Sequence, residues 1–212
     1  MKRCIVFCAG EFDRLLLPLS GQEYVIAADG GYSHANRLGL QPDCILGDFD
    51  SLGYVPQGAK VFPVEKDDTD MMLALRKGLA QGCKEFLIYG GLDGPRLDHT
   101  MANFQSLMFL SQQGARGYLM GKEYIATVIT DGQLRLPKAK DGIVSVFCMG
   151  AAARGVSIEG LQYILENGVL EPGFPLGVSN HFVGQEAVVS VTEGSLLVLW
   201  PAEAGLPCEV ML

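Results

Sequence analysis

The chain has 212 residues, 49% of them apolar, enough to bury a substantial core as one large domain or two small ones. Its formal net charge of −8 argues against general nucleic-acid or acidic-membrane binding, since no basic patch offsets it; a bound divalent cation would still admit a nucleotide. No apolar stretch approaches the roughly eighteen residues that a membrane span requires.

The opening MKRCIVFCAG meets Gly10 after a short apolar run and has no small-residue cleavage site, so it reads as a first strand and not a signal peptide. Cys4, Cys8, Cys44, Cys83, Cys148 and Cys208 are scattered without a CxxC pair, which reads as reduced thiols in a cytoplasmic protein. With only His34, His99 and His181 available, a mixed Cys and His zinc site lacks its usual spacing.

Up to about residue 121, short apolar runs alternate with helical patterns, the signature of βαβ units. The expected fold of residues 1–122 is an α/β domain with a mainly parallel, Rossmann-like sheet. Its strands are predicted at 4–8, 24–28, 44–46, 60–63, 85–89 and 117–120. One helix is predicted over 69–81, with Met72, Leu75 and Leu79 on one face and Gly82 as its stop. A second should span 98–113 and bury Met101, Phe104, Leu107 and Met108. From residue 123 to 212 the helical period disappears, and short runs at 125–129, 143–148, 187–192 and 195–200 predict an all-β sandwich or barrel. The last two runs flank Glu193-Gly194, which reads as a two-residue hairpin connection.

Aspartates recur just past the apolar runs: Asp29 in AADGG, Asp48 and Asp50 in ILGDFDS, Asp67 and Asp70 in KDDTD, and Asp98 in RLDHTMAN. Acids in that place gather at the carboxyl edge of an open α/β sheet, where such sheets bind ligands. In an extended GDFDS segment Asp48 and Asp50 would face one side together, suited to Mg²⁺, while Phe49 turns inward. A plain loop is the competing account. Asp68 or Thr69 also suits the N-cap of the helix that follows, and Asp98 that of the next one. The glycine-rich stretch from Gly90 to Gly94 lets backbone amides approach phosphate, and Arg96 can donate two parallel hydrogen bonds to it.

ADGG, GDFDS, KDxTD and a glycine-rich loop ending in RLDHTxAN, in this order and at these intervals, resemble the thiamin pyrophosphokinase family. Downstream, Ser157-Ile158-Glu159-Gly160-Leu161-Gln162-Tyr163 is similar to its S/T-x-x-G-L-K-W/Y stretch and Gly177-Val178-Ser179-Asn180 to its GxSN segment. The resemblance implies a catalytic, ATP-binding α/β domain and a β-sandwich that binds thiamine and dimerises. The thiamine site would lie at the homodimer interface. Pyrophosphate would pass from ATP to the thiamine hydroxyl, giving thiamine diphosphate and AMP. Asp48, Asp50, Asp70 and Asp98 would hold Mg²⁺ and the triphosphate, with Asp70 the candidate base. Asp29, Gly30, Gly31, Ser51, Asp67, Thr69, Arg96 and His99 would place the nucleotide. Ser157, Tyr163, Ser179 and Asn180 match the thiamine side, the tyrosine ring stacking on the pyrimidine. Pro95 departs from the family's usual glycine and removes one backbone donor, and Gln162 replaces a common lysine.

DFDS also resembles the nucleophile loop of haloacid-dehalogenase-type phosphatases, in which a first aspartate attacks phosphorus. The crowding of Lys66, Asp67 and Asp68 and the β-rich second half argue against that enzyme. A non-catalytic nucleotide sensor is the remaining alternative.

Overall fold

A computed structural model describes residues 1–63 and 67–211. The chain divides into two compact units, Met1–Ser106 with Gly117–Lys122, and Leu107–Arg116 with Glu123–Leu212.

In the first unit the strands are β1 (Arg3–Phe7), β2 (Tyr24–Ala28), β3 (Cys44–Gly47), β4 (Lys60–Val61), β5 (Glu85–Tyr89) and β6 (Arg116–Met120), in the sheet order β6-β5-β1-β2-β3-β4. The pairs β1–β2, β1–β5, β2–β3 and β3–β4 are parallel. β1, β2 and β5 each bury four consecutive residues, as expected where both faces of a parallel sheet are covered. The chain steps outward from β1 to β4 and returns to β5 on the other side of β1. The loops after β1 and β5 therefore flank the point where the strand order reverses, the usual ligand crevice of an open sheet.

Three helices accompany these strands: α1 (Gly31–Arg37), α2 (Asp70–Ala80) and α3 (Leu97–Gln112). The apolar pattern does not predict α1, because its buried residues are Gly31 and Ala35, which carry almost no hydrophobic signal. α2 forms where expected but buries Met71, Ala74, Leu75 and Gly78. Only Leu75 of the predicted face is fully buried; small residues let the helix lie close to the sheet, so Met72 and Leu79 rotate to half-buried positions. In α3, Leu107 is buried as expected and Phe104 and Met108 are half-buried, but Met101 is exposed.

The second unit is β-rich. It contains β7 (Tyr124–Thr130), β8 (Gln133–Leu136), β9 (Ile143–Glu159), β10 (Leu165–Leu170), β11 (Asn180–His181), β12 (Ala187–Ser190), β13 (Glu193–Pro201) and β14 (Glu209–Met211). β9 is the organising strand, pairing antiparallel with β10, β11, β12 and β13. Trp200 is fully buried and donates its indole N–H to Gly205 O at 2.8 Å.

The predicted hairpin at Glu193-Gly194 does not form. β12 and β13 run along the same strand, Val188 opposite Glu159, Glu193 opposite Arg154 and Ser195 opposite Met149, so together they are one long path antiparallel to β9. Between Glu193 and Ser195 the register jumps, and Gly194, at φ 108°, absorbs the shift. A glycine between two β-rich runs marks a bulge as readily as a turn.

Candidate active site

Because β1, β2, β3 and β5 run parallel, the loops that follow them leave one edge of the first unit's sheet. Asp29 stands directly after β2 in a left-handed conformation (φ 48°), its N–H bonded to Leu46 O at 2.8 Å. β3 ends at Gly47, where a Cβ would lie 2.9 Å from Asp29 Cα; a side chain there would drive the two loops apart. The GDFDS segment is not extended. Phe49 takes φ 61° with its ring buried, and this left-handed residue anchors a tight turn with Asp48 and Asp50 on either side.

The turn is tied together locally. Asp50 N–H donates to Asp48 Oδ1 at 3.3 Å, and Ser51 Oγ donates to Asp29 Oδ2 at 2.7 Å. Asp29 Oδ1 is buried and has no hydrogen-bond partner among the described residues. One carboxylate oxygen from each of Asp29, Asp48 and Asp50 lies within 4.8 Å of the other two. Three like charges that close repel one another, and a hard divalent cation is the ligand whose chemistry reconciles them.

α2 begins beside this edge. Thr69 is its N-cap, Oγ1 accepting the Met72 N–H at 3.2 Å, and Asp70 is its first residue. Burial, with the charges of Asp70 and Asp29, pushes the Cys8 thiol up to about 12, so Cys8 stays neutral and its surroundings carry the fields of both acids. Cys8 Sγ lies 3.8 Å from Met71 Sδ. Asp67 is exposed, and Asp68 reaches Arg76 at 3.4 Å. Lys66 lies outside the described residues.

After β5, Arg96 donates from Nε to Asp98 Oδ1 at 2.9 Å and from Nη2 to Asp98 Oδ2 at 2.6 Å, while His99 is exposed beside them. These hydrogen bonds hold the Asp98 carboxyl well below the usual carboxylate range. Asp98 sits inside the first turn of α3, after Leu97, and is not its N-cap. Gly30 and Gly31 lead into α1.

The four residues of the thiamine-like segments all belong to the second unit. The Tyr163 ring is exposed, but its backbone is pinned: Asn180 Oδ1 accepts the Tyr163 N–H at 2.9 Å and Asn180 Nδ2 donates to Tyr163 O at 2.6 Å. The buried Asn180 also takes the His181 N–H on Oδ1 at 2.9 Å, so its amide is engaged by backbone at both ends. Ser179, at φ 60°, donates its N–H to Ser145 Oγ at 3.2 Å, and Ser157 Oγ accepts the Asn167 N–H at 3.2 Å. The sequence motifs carried no sign that Asn180 would hold Tyr163, since the two are seventeen positions apart.

Residues 17–119 match the family model described as thiamin pyrophosphokinase, catalytic domain, and residues 133–196 match thiamin pyrophosphokinase, vitamin B1 binding domain. Among solved structures, the chain is similar to thiamine pyrophosphokinase from Bacillus subtilis, at 22% identity and a TM-score of 0.81, covering 94% of this chain and 99% of that one. Thiamin pyrophosphokinase from Geobacillus thermodenitrificans is 25% identical, with a TM-score of 0.76 over 97% and 100% of the two chains. The yeast thiamin pyrophosphokinase, at 13% identity, shares the fold with a TM-score of 0.66 over 94% and 85%. No curated protein sequence shows significant similarity to the chain.

Proposed function

The chain belongs to the thiamin pyrophosphokinase family, whose reaction moves pyrophosphate from ATP to thiamine, and from that premise we propose how its residues divide the work. Residues 1–122, the Rossmann-like part, carry ATP and the chemistry; residues 123–212, a β-sandwich, carry thiamine and the homodimer contact. The observation that supports the catalytic half of this reading is the convergence of Asp29, Asp48 and Asp50 at one sheet edge. Asp48 and Asp50, joined by Asp29 and with Asp70 and Asp98 from the first turns of α2 and α3, fit a Mg²⁺ ion. Bound there, the cation would neutralise charge spreading over the transferring pyrophosphoryl group.

The protein's own groups position the substrates. Arg96 turns from Asp98 to a phosphate oxygen, which frees the Asp98 carboxylate for the metal side. Thr69, Gly30, Gly31, Ser51, Asp67 and His99 flank the nucleotide. Asp70 accepts the hydroxyl proton of thiamine as the oxygen attacks the β-phosphorus. The exposed Tyr163 ring stacks on the pyrimidine, and Asn180 acts through it by fixing its backbone, beside Ser157 and Ser179. The phosphatase reading of DFDS loses its ground, since the family models extend over both halves of the chain.

Incubation with ATP, Mg²⁺ and thiamine is expected to yield thiamine diphosphate and AMP in equal amounts. ADP with thiamine monophosphate would reject pyrophosphoryl transfer, and nucleotide binding without products would favour the sensor. Steady-state kinetics of Tyr163→Ala should then show a thiamine KM raised about fivefold, because ring stacking is worth about 1 kcal/mol, with the ATP KM within about twofold. Equal rises in both constants would remove Tyr163 from the thiamine site.

A further inference from the structure

The RLDHTMAN segment contains a residue to which the reaction gives no role, Asn103, in the second turn of α3. Its Nδ2 lies 2.7 Å from Gly91 O. A carbonyl only accepts, so the group facing it is the amide NH₂. The same glycine-rich loop is braced at its other carbonyls: Gly10 N–H donates to Gly90 O at 3.0 Å, Glu11 N–H to Asp93 O at 2.8 Å, and Thr100 Oγ1 stands 3.5 Å from Leu92 O. Asn103 makes the shortest of these four contacts, and it does so with a half-buried side chain.

A trans peptide unit points its C=O and the following N–H in opposite directions. Each held carbonyl therefore aims the next N–H away from its brace: Gly90 O fixes the Gly91 N–H, Gly91 O the Leu92 N–H, and Asp93 O the Gly94 N–H. Leu92, Asp93 and Gly94 N–H have no acceptor among the described residues. Glycine-rich loops flip their peptide planes readily, and a flip would present a carbonyl where donors are needed.

We propose that Asn103 is a positioning residue for the nucleotide: its amide holds the Gly91 carbonyl on α3 and so keeps the Leu92 N–H turned toward the polyphosphate. This rests on the glycine-rich loop being the phosphate site of the proposed function. The role was invisible in the sequence motif because it runs through backbone.

Asn103→Leu removes the donor at similar volume and without charge. It is expected to raise the ATP KM about tenfold while the thiamine KM stays within about twofold, and calorimetry with inorganic tripolyphosphate and Mg²⁺ should show a comparable loss of affinity. Asn103→Ala, assayed the same way, serves if the leucine variant does not fold. Unchanged tripolyphosphate affinity in a folded variant overturns the inference. So does a parallel rise in both KM values, the signature of a structural role alone. Wild-type protein that binds tripolyphosphate but forms no thiamine diphosphate would sink the proposed reaction and leave the Asn103 comparison standing; wild-type protein that binds none would sink the Asn103 role.

Discussion

Asp48→Asn is expected to lower kcat by about 10²–10³-fold without unfolding the protein, because a charged ligand of the cation that would neutralise transition-state charge is lost while the turn around Phe49 is kept. The cluster makes the stability side of this prediction unusual. Three carboxylates whose oxygens lie within 4.8 Å repel one another when no cation is present, so removing one charge relieves repulsion. Metal-free Asp48→Asn should therefore melt at or above the wild-type midpoint. Added Mg²⁺ should raise the wild-type midpoint much more than that of the variant, since a ligand stabilises the state that binds it. Thermal unfolding with and without Mg²⁺, alongside single-turnover rates, checks both halves. Near-wild-type kcat, or equal Mg²⁺ stabilisation of the two proteins, would reduce GDFDS to a turn with no metal role.

Gly31→Ala should be a strongly damaging conservative change outside the acids. A Cβ at Gly31 would stand 2.1 Å from Phe7 O and 2.3 Å from Phe7 C, both backbone atoms of β1 that have no rotamer with which to move aside. Either α1 lifts from β1 or the strand bends, at a cost of about 3 kcal/mol. For a chain of this size that corresponds to a midpoint lowered by about 6–12 °C. Circular dichroism melts of wild type and variant measure it. A shift smaller than about 2 °C would mean that α1 does not approach β1 so closely. The resemblance assigns Gly31 to the nucleotide; the packing gives it a second reason to be glycine, and the ATP KM of residual folded protein separates the two.

How legible the chain was differs from element to element. The strands β1, β2, β3 and β5 were readable because burial on both faces of a parallel sheet demands unbroken apolar runs, and such runs survive as a local pattern. α1 was not, since a helix that packs through Gly31 and Ala35 shows no apolar period. The second unit was harder still. β9 runs for 17 residues from Ile143 to Glu159, yet its stretch through Gly150 and three alanines lacks the alternation that marks a strand, and only its first part was predicted. Whether Gly194 made a hairpin or a bulge depended on β9 lying alongside, a partner some forty positions away.

For the site, the sequence by itself determined which residue types were available and that they follow strands: Asp29, Asp48, Asp50, Asp70 and Asp98 carry their chemistry wherever they are placed, and their order and spacing identified the family. Tertiary structure alone decided their company. It put Asp29 beside Asp48 and Asp50 because β2 and β3 are parallel neighbours with Gly47 between them, and it paired Arg96 with Asp98. It also spent the Asn180 and Asn103 amides on backbone carbonyls and N–H groups. Hydrogen bonds to backbone leave no trace in a motif, because every residue offers the same N–H and C=O, and only the fold selects which of them a side chain meets.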